Sequence, residues 1–486
     1  MLIVVNQGRC PLADRRQPRT RPMRPTIRKK GKTGSRYVIS GATPFSNQPR
    51  RIASFNGDVT SGNCLRLGFK ACERYLDKNF YTNENLFSSK SFGIGTEMAV
   101  AHLRSSSITP KHVSFQSDLA KDTTLVSGGG GNSELSRSKP SESILLIGDK
   151  FDPSAWDEFV RLHEGGSPFH LMPWQRMIHE TFGHQPLHIV AKSAGDRLKG
   201  ILPLFLVRSR IFGRVLVSTP QAAYGGILAD SDSTSYSMFQ RAAEIARELD
   251  VQFLELRSFQ NGLTGIPLLQ KDIYVTIRTE LQPDPEANMS AIPRKTRAEI
   301  REGIRHNLEF GENCIGPAEF FDVYSRSVRQ LGTPVFPKRL FINGLRSFGS
   351  DCKIFSVHWN GKLVAAVWTL FYKDQVIPYF GGSIREYNRL AVNNFMYWML
   401  MKYGCERGYK VFDFGRSKKG TGSFDFKRRW GMVMSELPYQ YLLVRQQSMP
   451  DTSPLNPKFS KAIQIWQRLP LPLTQFIGPI VSKHLI

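Results

Sequence analysis

Most of the common catalytic signatures are missing from this chain of 486 residues. Its six cysteines (Cys10, Cys64, Cys72, Cys314, Cys352, Cys405) form no CxxC and no zinc spacing. Zinc-finger and thioredoxin-type chemistry is therefore excluded, and scattered single cysteines fit a reducing compartment. The ten histidines form no HExxH and no Cys/His cluster, so no metal is expected. A GxSxG nucleophile elbow is absent too. No apolar run approaches the roughly 18–20 residues of a membrane span. The longest, Leu363 to Tyr372, is the size of a strand, and Met1 to Val5 is too short for a signal segment. The chain reads as cytoplasmic, with a peripheral contact at the inner membrane as an option. Acids are scarce as well. The formal charge is +25, and residues 1–140 hold 23 Lys and Arg against 9 Asp and Glu. Such a surplus points to an anionic partner such as a phosphate, a nucleic acid or an acidic membrane face.

What is present divides the chain. Arg9 to Arg36 contain eleven basic residues and four prolines but one acid, which cannot build a core. Ser127 to Ser143 is Gly/Ser-rich and reads as a linker. Residues 1–142 thus read as a disordered basic extension or a gene start placed too far upstream. A nucleic-acid-binding tail and a transit peptide are the alternatives. Order is expected from Ile144. Asp152-Pro153 opens a helix, and another follows near Trp174 to Phe182. Three apolar runs come next, Leu187–Lys192, Leu198–Val207 and Arg214–Thr219. A helix at Tyr236–Leu249 and strands at Val251–Arg257 and Ile273–Thr279 complete the set.

The same order recurs. Helices are expected at Pro317–Leu331 and Pro337–Phe348, and strands at Lys353–Trp359, Leu363–Tyr372 and Val376–Phe380. A helix at Ala391–Arg407 and a strand at Lys410–Phe414 follow. Ala223-Tyr-Gly-Gly-Ile227 matches Tyr379-Phe-Gly-Gly-Ser383, and Glu248–Arg257 matches Glu406–Arg416. The reading is an α+β chain with a duplicated domain, at 143–290 and 291–447, then a Pro-rich tail at 448–486. Ligands are expected where the central strands of such a sheet separate. In the linker helix at 293–306, Arg294, Arg297, Arg301 and Arg305 share a face. They form either a cationic face towards a phosphate-bearing substrate or a solvated surface. The tail from Met449 is apolar between prolines. It either docks on the body or rests on a membrane.

The most informative stretch is Phe412 to Gly431. Arg416, Lys418, Lys419, Lys427, Arg428 and Arg429 fall within fourteen residues, among Gly415, Gly420 and Gly422. It is not a Walker A loop, because Thr421-Gly422 replaces the required Lys-Ser/Thr, and Gly420-Thr-Gly422 is no dinucleotide fingerprint. A glycine loop with cations between a strand and a helix is either an anion site or a basic surface turn. Glu255, Tyr379, Asp413 and Asp425 are the proton-transfer candidates, with Glu255 and Asp413 central in strands.

These residues carry a family resemblance. The tandem repeats look like GNAT-type acyltransferase domains (the acyl-CoA N-acyltransferase fold, including the BioF2-like acetyltransferase domain), and Phe412–Gly431 resembles the FemAB-like proteins. Phe182-Gly-His184, Tyr224-Gly-Gly-Ile-Leu-Ala229, Ile292-Pro-Arg-Lys295, Leu331–Arg339 and Asn394-Phe-Met-Tyr-Trp398 look like the subgroup associated with exosortase and PEP-CTERM systems, in bacteria that export polysaccharide. The resemblance covers about 144–486. It implies two tandem GNAT-like domains with mixed central sheets. The implied activity is N-acyl transfer, from aminoacyl-tRNA or acyl-CoA as co-substrate, to an amine on a peptidoglycan or exopolysaccharide precursor. No bound cofactor is implied and no DNA is expected. Phe426-Lys427 matches the family's Phe-Lys pair, which makes Lys427, Arg416 and Asp425 the catalytic candidates. Arg294, Lys295, Arg297 and Arg301 match the helix that faces substrate phosphates. Tyr379, Gly381, Gly382, Lys418, Gly420 and Gly422 are the further binding candidates. The long helical hairpin of some bridge enzymes is missing, which counts against tRNA. An acyl-CoA-dependent N-acetyltransferase of a small molecule or sugar amine is one alternative, and a nucleic-acid-binding protein is another.

Overall fold

The computed structural model describes residues 144–147, 151–259, 262–450 and 457–485. The expectations for residues 1–142 lie outside them. The first half runs β1 (Ile144–Ile147), α1 (Pro153–Leu162), α2 (Met172–Phe182), β2 (Gln185–Pro186), β3 (Ile189–Lys192), β4 (Leu198–Leu202), β5 (Leu204–Ser209), β6 (Gly213–Ser218), β7 (Leu228–Ala229), α3 (Asp232–Glu248), β8 (Phe253–Arg257), β9 (Leu269–Lys271) and β10 (Tyr274–Glu280). Next come α4 (Pro285–Ala291) and α5 (Arg294–Arg305). The second half runs β11 (Glu309–Glu312), α6 (Pro317–Gln330), α7 (Lys338–Phe348), β12 (Cys352–Trp359), β13 (Lys362–Tyr372), β14 (Gln375–Ser383), α8 (Val392–Glu406), β15 (Val411–Lys418), α9 (Gly422–Arg428), β16 (Val433–Glu436) and β17 (Tyr439–Leu443). Two tail helices close it, α10 (Pro457–Arg468) and α11 (Leu471–Ser482).

Local chemistry sets several of these boundaries. The Asp152 carboxylate accepts from the Ser154 and Ala155 amides, with Pro153 in the first turn of α1, and Asp284 and Pro285 repeat the device at α4. Pro293 stands just before α5. The run Leu198–Val207 is not one strand. It breaks at Pro203, which has no N–H to give a ladder, and its pieces join different sheets. β4 lies in a four-stranded sheet, β1-β3-β4-β7, and β5 in a six-stranded one, β2-β5-β6-β8-β17-β9. The second half keeps one seven-stranded sheet, β11-β12-β13-β14-β15-β10-β16.

The sheet orders show an exchange. β10, from the first half of the sequence, pairs with β15 and β16; β17, from the second, sits between β8 and β9. The boundary expected at residue 290 therefore divides chain order but not the sheets. Strand pairing follows neighbouring edges in space, and each half offers its final edge to a strand of the other.

Each half contains one strand–helix–strand step with parallel strands, as its pattern predicts. β6 and β8 pair only at Leu216–Leu254 and Val217–Glu255, and β14 and β15 only at Gln375–Val411 and Val376–Phe412. Beyond those positions the strands part. The core between the halves is shared: Trp156, Phe169 and Trp174 pack in one cluster with Trp368, Phe380 and Tyr439. A second core under α5 and α8 holds Phe412, Phe414 and Trp430. α2 packs against α7, where a side chain on Gly344 would collide with Trp368 and Met177.

Candidate active site

The site is built on β15 where it leaves β14. Between Thr276 and Arg278 of β10 the register slips, so Phe414 and Gly415 stand opposite Ile277 alone. Gly415 takes φ 64°, a left-handed conformation that glycine adopts without strain. This bulge aims the residues on either side of it. Asp413 is fully buried and its oxygens are saturated. They accept from the Tyr224 hydroxyl at 2.9 Å, the Thr276 hydroxyl at 2.9 Å and the Gly415 amide at 2.7 Å, and pair with Arg278 at 3.4 Å. Asp413 thereby joins both halves to the bulge, and no lone pair is left for proton transfer.

Arg416 follows the bulge. Its guanidinium donates to the Tyr439 hydroxyl at 3.1 Å and lies 4.9 Å from the centre of the Tyr274 ring. Lys427, on α9, returns over the same strand end. Its ammonium donates to the Phe414 carbonyl at 2.6 Å and reaches the Arg416 carbonyl at 3.5 Å. Neither cation forms an ion pair with a carboxylate among the described residues. Burial pulls the Lys427 pKa down to about 8, with Asp413 opposing the shift and Arg416 adding to it. The result is a half-buried ammonium that is easily deprotonated, beside a guanidinium that is not.

The first half has the corresponding residues in a different state. Arg257, at the end of β8, is 1% exposed. It donates to Glu255 at 2.6 Å and to the carbonyls of Ala222 and Thr219 at 3.2 and 3.4 Å. Glu255 therefore belongs to a closed pair. Tyr379 is also committed, since its hydroxyl donates to the Gln221 carbonyl at 2.7 Å and its ring packs on Phe169 and Trp174.

The other candidates fall into two groups. Arg294 and Lys295, exposed in the first turn of α5, stand beside the end of α9. There Thr296 donates to the Arg429 carbonyl at 2.6 Å and Gly431 packs on Pro293. Arg301 is exposed further along, and Arg297 turns back to the Ser290 carbonyl at 2.9 Å. Gly382 accommodates α6, because a side chain there would strike Ser327 and Tyr324. Lys418 lies 5.7 Å from the Tyr274 ring. The loop is less of an amide cradle than its glycines imply. Lys419 N–H goes to the Ile273 carbonyl, Thr421 N–H to that of Lys418, and Phe424 N–H to the Thr421 hydroxyl. Gly420, at φ 79°, supplies the turn, and Gly422 opens α9 with free space around it. Asp425 is half-exposed and lies 3.7 Å from Arg428.

Two side chains escaped sequence reasoning. The Tyr397 hydroxyl lies where a side chain on Gly381 would be, and its ring packs on Phe414 and Phe426. The Ser417 hydroxyl is buried on β15 without a hydrogen-bond partner. Tyr397 sits inside the quoted Asn394–Trp398 stretch, but only the fold reveals that α8 carries it to the parted strands. Ser417 has no sequence signal. A cavity of about 450 Å³ also opens in the first half, between His163, His170, Gly226, Tyr236 and Phe259. Burial pushes the His170 pKa down to about 3, so its ring is neutral. Phe259 connects this cavity to the site, for Arg278 stacks on it at 4.9 Å while pairing with Asp413.

Residues 294–428, in the second half, match the Acetyltransferase (GNAT) domain family. The first half repeats its element order and its parted parallel pair. The fold is thus α+β, with two tandem GNAT-like domains and mixed sheets. In sequence, the chain is similar to the Lipid II:glycine glycyltransferase of Staphylococcus haemolyticus, 28% identical over 90 residues. That match takes in 17% of this chain and spans 22% of that protein's length. Among solved structures it is similar to FemX, at 14% identity and TM-score 0.48 over 62% of this chain and 98% of that one. It is also similar to a tandem GNAT protein from the clavulanic acid biosynthesis pathway, at 12% identity and TM-score 0.40 over 64% and 100%.

Proposed function

We propose that this protein is a FemAB-like N-acyltransferase that moves an aminoacyl or acyl group onto an amine of a cell-envelope precursor. The observation that carries the reading is the Lys427 ammonium, held by two strand carbonyls at the parted end of β15 and in no ion pair with a carboxylate among the described residues. A cation in that position suits an oxygen that gains negative charge during the reaction. The acceptor nitrogen attacks the acyl carbonyl carbon, and the tetrahedral oxyanion forms against Lys427 and Arg416. The new C–N bond stays as the bond to the leaving group breaks. The amine proton is relayed through a substrate carboxylate or Asp425 to the leaving group, which departs as a tRNA hydroxyl or a CoA thiol. Arg294, Lys295 and Arg301 offer charge to substrate phosphates beside α9.

Two opposing considerations bear on the donor. The glycyltransferase similarity favours aminoacyl-tRNA, and the acetyltransferase domain match favours acyl-CoA. The exosortase-type resemblance directs the acceptor towards exported polysaccharide. Thermal melting of the full chain with aminoacyl-tRNA, acyl-CoA and nucleotide-linked envelope precursors separates these. Stabilisation by aminoacyl-tRNA together with a precursor supports the main reading, stabilisation by acyl-CoA alone replaces it with the second, and no shift with any of them overturns both.

A further inference from the structure

The last helix of the described chain is inside out. In α11, Thr474, Gly478 and Ser482 face the body and are buried. Leu473, Phe476 and Ile480, also spaced three and four apart, lie on the opposite side and are 40%, 54% and 40% exposed. A helix packed on a protein in water normally turns its apolar stripe inward. Here the inward side is held by close approach and polar contacts. Gly478 abuts Val335, and Gln475 donates to the Ser325 hydroxyl at 2.8 Å. Arg329 donates to the Leu469 carbonyl at 2.6 Å, and Ser209 and Gln221 hold the carbonyls of His484 and Leu485. The tail does dock on the body, as one of its two sequence readings requires, and docking leaves its apolar side in solvent. Ile465 of α10 is exposed too.

The charges complete the pattern. Residues 457–485 contain Lys458, Lys461, Arg468 and Lys483 and no acid, and Lys461, Arg468 and Lys483 are exposed. An apolar stripe fringed by cations fits the interface of an anionic bilayer. Among the described residues no helix is long and apolar enough to cross a membrane, and α11, at 12 residues, suits a helix lying in the surface. We propose that α10 and α11 seat the protein on an anionic membrane surface, with Leu473, Phe476 and Ile480 entering the headgroup region and the lysines contacting lipid phosphates.

Vesicle co-sedimentation of the full chain tests this. The wild type should bind vesicles of phosphatidylglycerol mixed with phosphatidylcholine and bind pure phosphatidylcholine weakly. The triple substitution Leu473→Ser, Phe476→Ser, Ile480→Ser should lower partitioning about tenfold or more. Lys461→Glu with Lys483→Glu should remove the preference for phosphatidylglycerol. Melting curves confirm the fold, and Phe476→Ser alone serves if the triple variant does not fold. Absence of wild-type binding to the phosphatidylglycerol vesicles overturns the proposal. So does unchanged binding by the apolar variants, or a wild-type dimer that they turn into a monomer without affecting lipid binding.

Discussion

Two strands, β8 and β15, follow the same helix-to-strand crossing in their halves, and both carry an acid followed by an arginine. In β8 the arginine is two residues from the acid, so Glu255 and Arg257 turn to the same side and neutralise each other. In β15 the spacing is three, and Gly415 absorbs the extra residue as a bulge. Asp413 is then occupied by Tyr224, Thr276, Gly415 and Arg278, and Arg416 forms no ion pair with an acid among the described residues. One inserted residue turns a closed ion pair into a site with surplus positive charge. On the proposed function, the first half serves as scaffold and the second half carries the chemistry.

The comparison breaks most easily at its arginines. Arg257→Met strands the buried Glu255 and should cost about 3–5 kcal/mol in urea denaturation, with little change in turnover of the protein that stays folded. Arg416→Met should do the reverse, changing stability by about 1 kcal/mol or less and lowering turnover about a hundredfold. Equal effects of the two substitutions on stability would erase the distinction.

The pH dependence separates the halves again. Turnover that needs the Lys427 cation should fall about tenfold per unit as pH rises above roughly 8, and Lys427→Arg should move that fall to higher pH. The stability effect has the opposite sign. The folded pKa of about 8 lies below the usual 10.5, so between those values the folded state binds fewer protons than the unfolded one. The Lys427 contribution to stability therefore improves as pH climbs through that window, and the penalty is present in full below it. Stability and activity scans of the wild type and Lys427→Met check both signs. The smallest effect is expected at α5, where Arg294→Gln with Lys295→Gln should raise KM only a few-fold, and less so at high salt, because the charges are exposed.

Much of this fold was legible, for plain reasons. Asp152-Pro153, Pro317 and Pro337 stand at helix starts, and Asn360-Gly361 forms the tight turn that an Asn-Gly pair between two apolar runs favours, with both φ angles positive. The exchange of β10 and β17 was not, because a strand's pattern records which face is buried and not which sheet receives it. β16 (Val-Met-Ser-Glu) is exposed along its whole length, so no alternation marks it. The tail reads as apolar stretches between prolines. It forms two full helices, since Pro470 stands before α11 and Pro472 falls in its first turn, where a missing N–H costs nothing. In the site, the cluster of cations was visible, but the saturation of Asp413, the engaged loop amides and the position of Tyr397 depend on contacts between distant segments.

On the proposed function, Lys427 acts as a charge at the reacting carbonyl. The most direct test of this role is turnover of Lys427→Ala with the donor and acceptor that stabilise the wild type, alongside its melting temperature. Turnover should fall at least about a hundredfold with no fall in melting temperature. Full turnover by Lys427→Ala would contradict that role.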